Sequence, residues 1–290
     1  MVERKTKDSL GRRSRMKPQS TGKRIRLTER DLLWMQKIHE HGPLSTSELL
    51  AFSEEGGQNK GRAQNRLTDL FNEENNAHSK PFLTRPEQQF MHIDARYNQI
   101  IYGLSKAGEK ALKEAGMWSD WVHKAGGPFW HQRMVAQITA EIEIDCRRSS
   151  DRNYIQGWKV LERAQTRLRY PVTFKDPSTG KTLTKTLIPD QIYGIEYLTE
   201  DGPRYKFWVL EAERGTHPKT SKQDRKSVER MEAMYDVYIG QGKYREHLGL
   251  RAPIVLKFVD ERVANIVKSK RKIQDQEKIF GEEHFYGHEI

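Results

Sequence analysis

The stretch RYKFWVLEAE, residues 204–213, alternates in a way that few folds tolerate. In a β-strand, side chains two apart point to the same face, so Phe207, Val209, Glu211 and Glu213 share one side. Two carboxylates that follow two core residues on one face belong at the end of a strand, where a sheet opens to solvent. The preceding segment, TLIPDQIYGIEYL, reads as a second strand joined through TEDG, and Asp190 stands near its start, after Pro189. If the two strands are antiparallel neighbours, the start of one lies beside the end of the other, and Asp190, Glu211 and Glu213 converge. Carboxylates packed together repel unless a cation sits among them. Oxygen ligands of this kind suit Mg²⁺, or Mn²⁺ in its place.

The surrounding pattern supplies a framework. AGGP around Pro128 interrupts the chain, and FWHQRMVAQITAEIEIDCRRSS then aligns His131, Val135, Ile138, Ile142 and Cys146 on one helical face, with Glu141 and Asp145 at its edge. His131 reads as a hydrogen-bonded core histidine or as a neighbour of the acids. Strands are expected at YIQGWKVL, in a hairpin around KDPSTGKT, at KTLIPDQIYGIEYL and at RYKFWVLEAE. A helix over 220–240 and a last strand PIVLKFV complete the order αβββαβ. STGKT is a hairpin turn and not a phosphate loop, because Lys175 stands where that motif needs glycine.

The first half has a different grammar. TERDLLWMQKIHEH is helical, with Thr28 as N-cap and Gly42 as stop, and Ser45 with Glu48 forms a capping box before ELLAF. A third helix over 58–72 places Ala63, Leu67, Leu70 and Phe71 on one side and Gln58, Arg62, Asn65 and Asp69 on the other, flanked by Arg66. PFLTR and NQIIYGLS follow as β-segments, then the helix KAGEKALKEAG. Three helices, a hairpin and a helix are the order of a winged helix-turn-helix, in which the third helix reads a major groove through residues such as Arg62, Asn65 and Arg66. The same module also serves as a protein-binding surface.

Charge selects the partner. The chain of 290 residues carries a net +11, which favours a polyanion, with DNA first. Residues 1–26 hold ten Lys/Arg against Glu3 and Asp8, with little that is apolar. They are expected to form a disordered basic arm along phosphates. The remaining length divides into a winged helix over 27–127 and a second domain over 128–290. Cys146 is the sole cysteine, so internal disulfides are impossible, and no run of eighteen apolar residues offers a membrane span. A soluble, cytoplasmic α+β protein is the expectation.

Pro189-Asp190, a spacer and Glu211-Ala212-Glu213 on this framework resemble the PD-(D/E)XK nuclease superfamily. With the winged helix and the run LEAERGT, residues 27–260 resemble the replication-relaxation family of plasmid and phage proteins. The resemblance implies that Asp190 and Glu211 hold the metal, that Glu141 adds an acidic group, and that Glu213 occupies the usual lysine position. Glutamate there accepts protons or binds a second metal, and Lys219, Lys222 or Lys226 is positioned in sequence to supply a replacement cation. Two readings remain open: an active phosphodiesterase, or a degenerate nuclease fold serving a non-catalytic replication or transcription regulator.

Overall fold

The computed structural model describes residues 15–53, 60–73, 80–91, 98–213 and 227–260. It is mixed α+β and divides into two units: Met1–Asp120 with Ala136–Ile144, and Trp121–Val135 with Asp145–Ile290. The sequence boundary near residue 128 is therefore crossed by a helical segment that clusters with the first unit.

In the first unit, α1 (Glu29–His41) begins at Thr28, whose hydroxyl accepts from Asp31 N while Asp31 accepts from Thr28 N. This reciprocal cap satisfies amides that have no partner inside the helix. Gly42 ends α1 with φ of 111°, a conformation open to glycine at little cost. β1 (Leu44–Ser45) leads into α2 (Thr46–Phe52), and the expected Ser45–Glu48 capping box is present. α3 spans Lys60–Asn72 and buries Ala63, Leu67, Leu70 and Phe71, the face that its periodicity predicts. β2 (Leu83–Thr84) and β3 (Ile101–Leu104) form a small antiparallel sheet in the order β1-β3-β2, followed by α4 (Lys106–Glu114). Trp34, Met35, Leu49, Leu67 and Phe82 lie at the centre of this core.

Residues 15–26 depart from the disordered arm that composition predicts. Gln19 N donates to Asn72, while Ser20 Oγ, Thr21 N and Thr21 Oγ1 all donate to the buried Glu73 carboxylate. Burial alone would raise the pKa of Glu73, but the Thr21 and Ser20 donors outweigh it and hold the group below its ordinary range. Lys23 pairs with Asp69. Residues 1–14 of the expected arm lie outside the described residues.

The second unit is built on a four-stranded sheet in the order β4-β7-β8-β9. α5 (Phe129–Arg148) precedes β4 (Arg152–Gln156). The strand expected over YIQGWKVL ends at Gln156. Its second half is instead α6 (Gly157–Ala164), which buries Val160 and Leu161. β5 (Tyr170–Lys175) and β6 (Thr182–Leu187) form the predicted hairpin as a separate two-stranded sheet. The single strand expected over KTLIPDQIYGIEYL is broken at 188–190, so β6 and β7 (Gln191–Thr199) belong to different sheets. Proline lacks an N–H and cannot carry a ladder across that break.

β7 pairs antiparallel with β8 (Gly202–Glu213), and β8 pairs parallel with β9 (Ile254–Asp260). Between them, Ser227 caps α7 (Val228–Tyr235), a π-turn over Asp236–Gly240 follows, and α8 (Lys243–Leu248) is an element that the sequence pattern did not reveal. Phe207, Val209 and Ile192 pack on one face with Met231, Met234 and Tyr235 of α7. On the opposite face Tyr193 stacks on both Tyr154 and Trp208.

A β-carbon added at Gly157 would stand 2.0 Å from Ile192 O, a backbone atom that cannot turn aside. Gly157→Ala is therefore expected to destabilise the second unit by at least ~2 kcal/mol, seen as a lower urea midpoint.

Candidate functional site

The geometry at the end of β8 follows from strand register. Gln191 pairs with Leu210, and Asp190 N donates to Leu210 O at 3.0 Å, which sets Asp190 beside Glu211 one step beyond the ladder. The Asp190 carboxylate then curls back. Its Oδ2 accepts from Ala212 N at 2.8 Å, and its Oδ1 lies 3.0 Å from His131 Nε2 at the start of α5. Register thus sets the Asp190 backbone beside that of Glu211.

Glu211 and Glu213 continue the buried row of Phe207 and Val209 and are only 3% and 7% exposed. Tyr235 of α7 donates its hydroxyl to Glu211 Oε1 at 2.6 Å. Burial foremost, then the Glu211 charge and its hydrogen bond, then Asp190, push this phenol well above its ordinary pKa. Tyr235 consequently stays a neutral donor and senses both carboxylates. His123 adds a contact that the sequence did not signal: its Nε2 lies 3.1 Å from Pro189 O, and burial lowers its pKa against the opposing effects of that carbonyl and of Asp190. Gln191 in turn donates to His123 O, tying the 121–123 segment to the start of β7.

Asp190 and Glu211 offer hard oxygen donors, and a carboxylate has about four acceptor sites, so the hydrogen bonds to Asp190 do not exhaust it. The donor chemistry fits a small divalent cation. However, Asp190, Glu211 and Glu213 do not all bring ligand atoms within 4.8 Å of one another. Among the described residues, the group that meets that distance is Glu40, His41 and Glu143 in the first unit. There Lys37 Nζ already lies 2.5 Å from Glu40 and 2.7 Å from Glu143, while His41 bridges Glu143 and Thr139. The protein's own ammonium supplies the cation. Burial would raise the pKa of Glu143, but the His41 hydrogen bond and charge, with Lys37, hold it well below the ordinary range.

Glu141 stands on the part of α5 that clusters with the first unit, and it accepts from Gln137. On the part of α5 that belongs to the second unit, His131 meets Asp190. Lys222, with Lys219 and Lys226, lies outside the described residues, as does Gln58. On α3, Arg62 and Asn65 are exposed. Arg66 instead turns inward: Nε and Nη2 fork onto Asp31, and Nη2 also reaches Arg26 O. The Asp31 hydrogen bond raises the Arg66 pKa despite partial burial. A helix-face pattern could not reveal that partner, because Asp31 belongs to the cap of α1.

The sequence profile of the replication-relaxation family matches residues 35–252, more than half of the chain. The chain belongs to the replication-relaxation family. No curated protein and no solved structure matches it. The matched span in this family member includes α2, α3 and every residue from Asp190 to Tyr235. Among the described residues, no helix is long and apolar enough to cross a membrane.

Removing the Arg66 fork would strand a buried Asp31. Arg66→Ala is expected to cost about 2–3 kcal/mol of first-unit stability, measurable by thermal unfolding, whereas Arg62→Ala should leave the transition nearly unchanged.

Proposed function

We propose that this family member is a DNA-binding protein of a plasmid or phage replication system, with a winged helix in its first unit and a metal-dependent, PD-(D/E)XK-like phosphodiesterase centre in its second. Family membership, the net positive charge and the three-helix-plus-hairpin order support the DNA-binding part. The observation that carries the catalytic part is the pairing of Asp190 with the end of β8, where it stands beside Glu211 and both charges act on Tyr235.

Asp190 and Glu211 would hold Mg²⁺ or Mn²⁺. When bound, such an ion lowers the pKa of water and offsets charge on a phosphate. The chain's own residues prepare the geometry. The Ala212 amide and His131 fix the rotamer of Asp190, and Tyr235 fixes Glu211 without cancelling its charge. Glu213, in the usual lysine position, would accept a proton or serve as a further ligand. Partners of this kind that orient a ligand typically contribute 10–100-fold to affinity or activity.

A second reading has its own support. Both oxygens of Asp190 and one of Glu211 are already engaged by protein groups, and Glu213 provides no cation. These features suit a non-catalytic replication or transcription regulator that retains the fold for binding.

Incubating supercoiled plasmid with Mg²⁺ or Mn²⁺ separates the two. The catalytic reading expects cleavage that Asp190→Ala and Glu211→Ala reduce to background and Tyr235→Phe lowers roughly 10–100-fold. Cleavage that survives both alanine changes rejects this site, and binding without cleavage favours the regulator. On the first unit, Arg62→Ala or Asn65→Ala should shift the preference among duplex sequences by about 1–3 kcal/mol. Equal losses on every sequence would count against groove reading by α3.

A further inference from the structure

The β5–β6 hairpin stands outside the main sheet, and its two faces differ sharply. Val172, Phe174 and Leu187 point inward and join the core that contains Tyr235 and Tyr238. The alternate positions, Pro171, Thr173 and Lys175 on β5 and Thr182, Thr184 and Thr186 on β6, are all exposed. Register places Thr173 opposite Thr184 and Lys175 opposite Thr182, and the first pair shares a hydroxyl–hydroxyl bond of 2.8 Å. Exposed Arg169 precedes the outer row of β5, and exposed Lys181 precedes that of β6.

From residue 166 to 187 the sequence contains one carboxylate, Asp176. It is removed from the surface: Arg230 of α7 donates Nε at 3.0 Å and Nη2 at 2.8 Å to its two oxygens, and Thr179 and Ser178 N donate as well. These donors, Arg230 first, hold Asp176 far below the ordinary carboxylate range. The same pair anchors the turn, which closes through Asp176 N to Lys181 O and Gly180 N to Asp176 O. The hairpin is therefore a braced ribbon whose outer surface presents Arg169, Lys175, Lys181 and a row of hydroxyls, with the local negative charge neutralised beneath it.

We infer that this ribbon is a docking surface for the phosphate backbone of duplex DNA. Lysine, arginine and threonine are phosphate-contacting residues, and the outer row lacks the Asn and Gln side chains that pair with adenine edges. Contact should thus be insensitive to sequence. Six residues per strand give a ribbon about 20 Å long, enough to follow several phosphates along one strand. β6 ends at Leu187, three residues before Asp190, so a backbone followed along the ribbon leads toward the acidic end of β8. The inference deepens the DNA-processing reading above and rests on it.

The test uses the full chain and two unrelated duplexes, with affinity measured by fluorescence anisotropy across a salt series. The triple variant Arg169→Ala/Lys175→Ala/Lys181→Ala is expected to bind both duplexes more weakly by the same factor, and to flatten the slope of log K against log salt by about 2–3. The charge-retaining variant Arg169→Lys/Lys175→Arg/Lys181→Arg should keep the wild-type slope. If the triple variant does not fold, Lys175→Glu alone carries the test through a smaller change in the same direction. An unchanged slope, or a loss confined to one sequence, overturns the ribbon. Wild-type plasmid cleavage with an unchanged slope would reject the ribbon alone. A flattened slope without cleavage would support the ribbon while rejecting catalysis. Failure of the wild type to bind either duplex would end both proposals.

Discussion

The pairing of β7 with β8 is the constraint on which the second unit depends. Its register places Ile192 opposite Val209 and Gly194 opposite Phe207. A β-carbon at position 194 would lie 2.6 Å from the Phe207 ring, so the aromatic occupies space that only glycine leaves open. Slipping the register by one residue would turn Phe207 and Val209 away from α7 and move Glu211 away from Asp190. Core formation and assembly of the acidic centre are consequently consequences of one strand alignment.

Charge burial follows a common rule in both units. Asp31 receives the Arg66 fork, Asp176 receives the Arg230 fork, and Glu143 sits between Lys37 and His41. Each pair or cluster joins elements distant in sequence, so removing Arg66 or Arg230 would take the guanidinium fork from a buried carboxylate in a poor dielectric. These contacts join α1 to α3, the β5–β6 turn to α7, and α1 to α5. Arg66 and Arg230 carry a further lesson: a cation in a basic chain is not thereby available to a polyanion, and the exposed cations of the hairpin are informative because its one carboxylate is already matched.

Much of this was legible from sequence where local chemistry decides structure. The Thr28 and Ser45 caps, the apolar face of α3, the hairpin around residues 175–182 and the period-two row of Phe207, Val209 and Glu211 are short-range signals, and the structure bears them out. The misreadings have physical causes. GWKVLERA is a short apolar-rich run compatible with either strand or helix, and Gly157 packed on Ile192 is what allows α6 to start there. The break at Pro189 was visible as a residue but not as a change of sheet. Arg66, His123 and Tyr235 acquire their roles from partners 35 or more, 66 and 24 residues away, distances over which periodicity says nothing. Residues 15–26 have a disordered composition, yet Glu73 collects donors from Ser20 and Thr21 within them, an arrangement that no count of charges anticipates.

The choice of donor beneath Glu211 bears on what the acidic centre can do. A lysine in place of Tyr235 would pair with the carboxylate and cancel its charge. A phenol buried beside two carboxylates cannot readily ionise, so Tyr235 orients Glu211 without itself contributing a positive charge. The Ala212 amide does the same for Asp190. A neutral donor such as Tyr235 or the Ala212 amide fixes a carboxylate's geometry without adding charge, which suits a cation site and is also compatible with a fold that keeps its acids only for structure. The distinction therefore lies in the response to a divalent ion, because a purely structural carboxylate gains nothing from one, whereas a carboxylate pair oriented to receive an ion is stabilised when it binds.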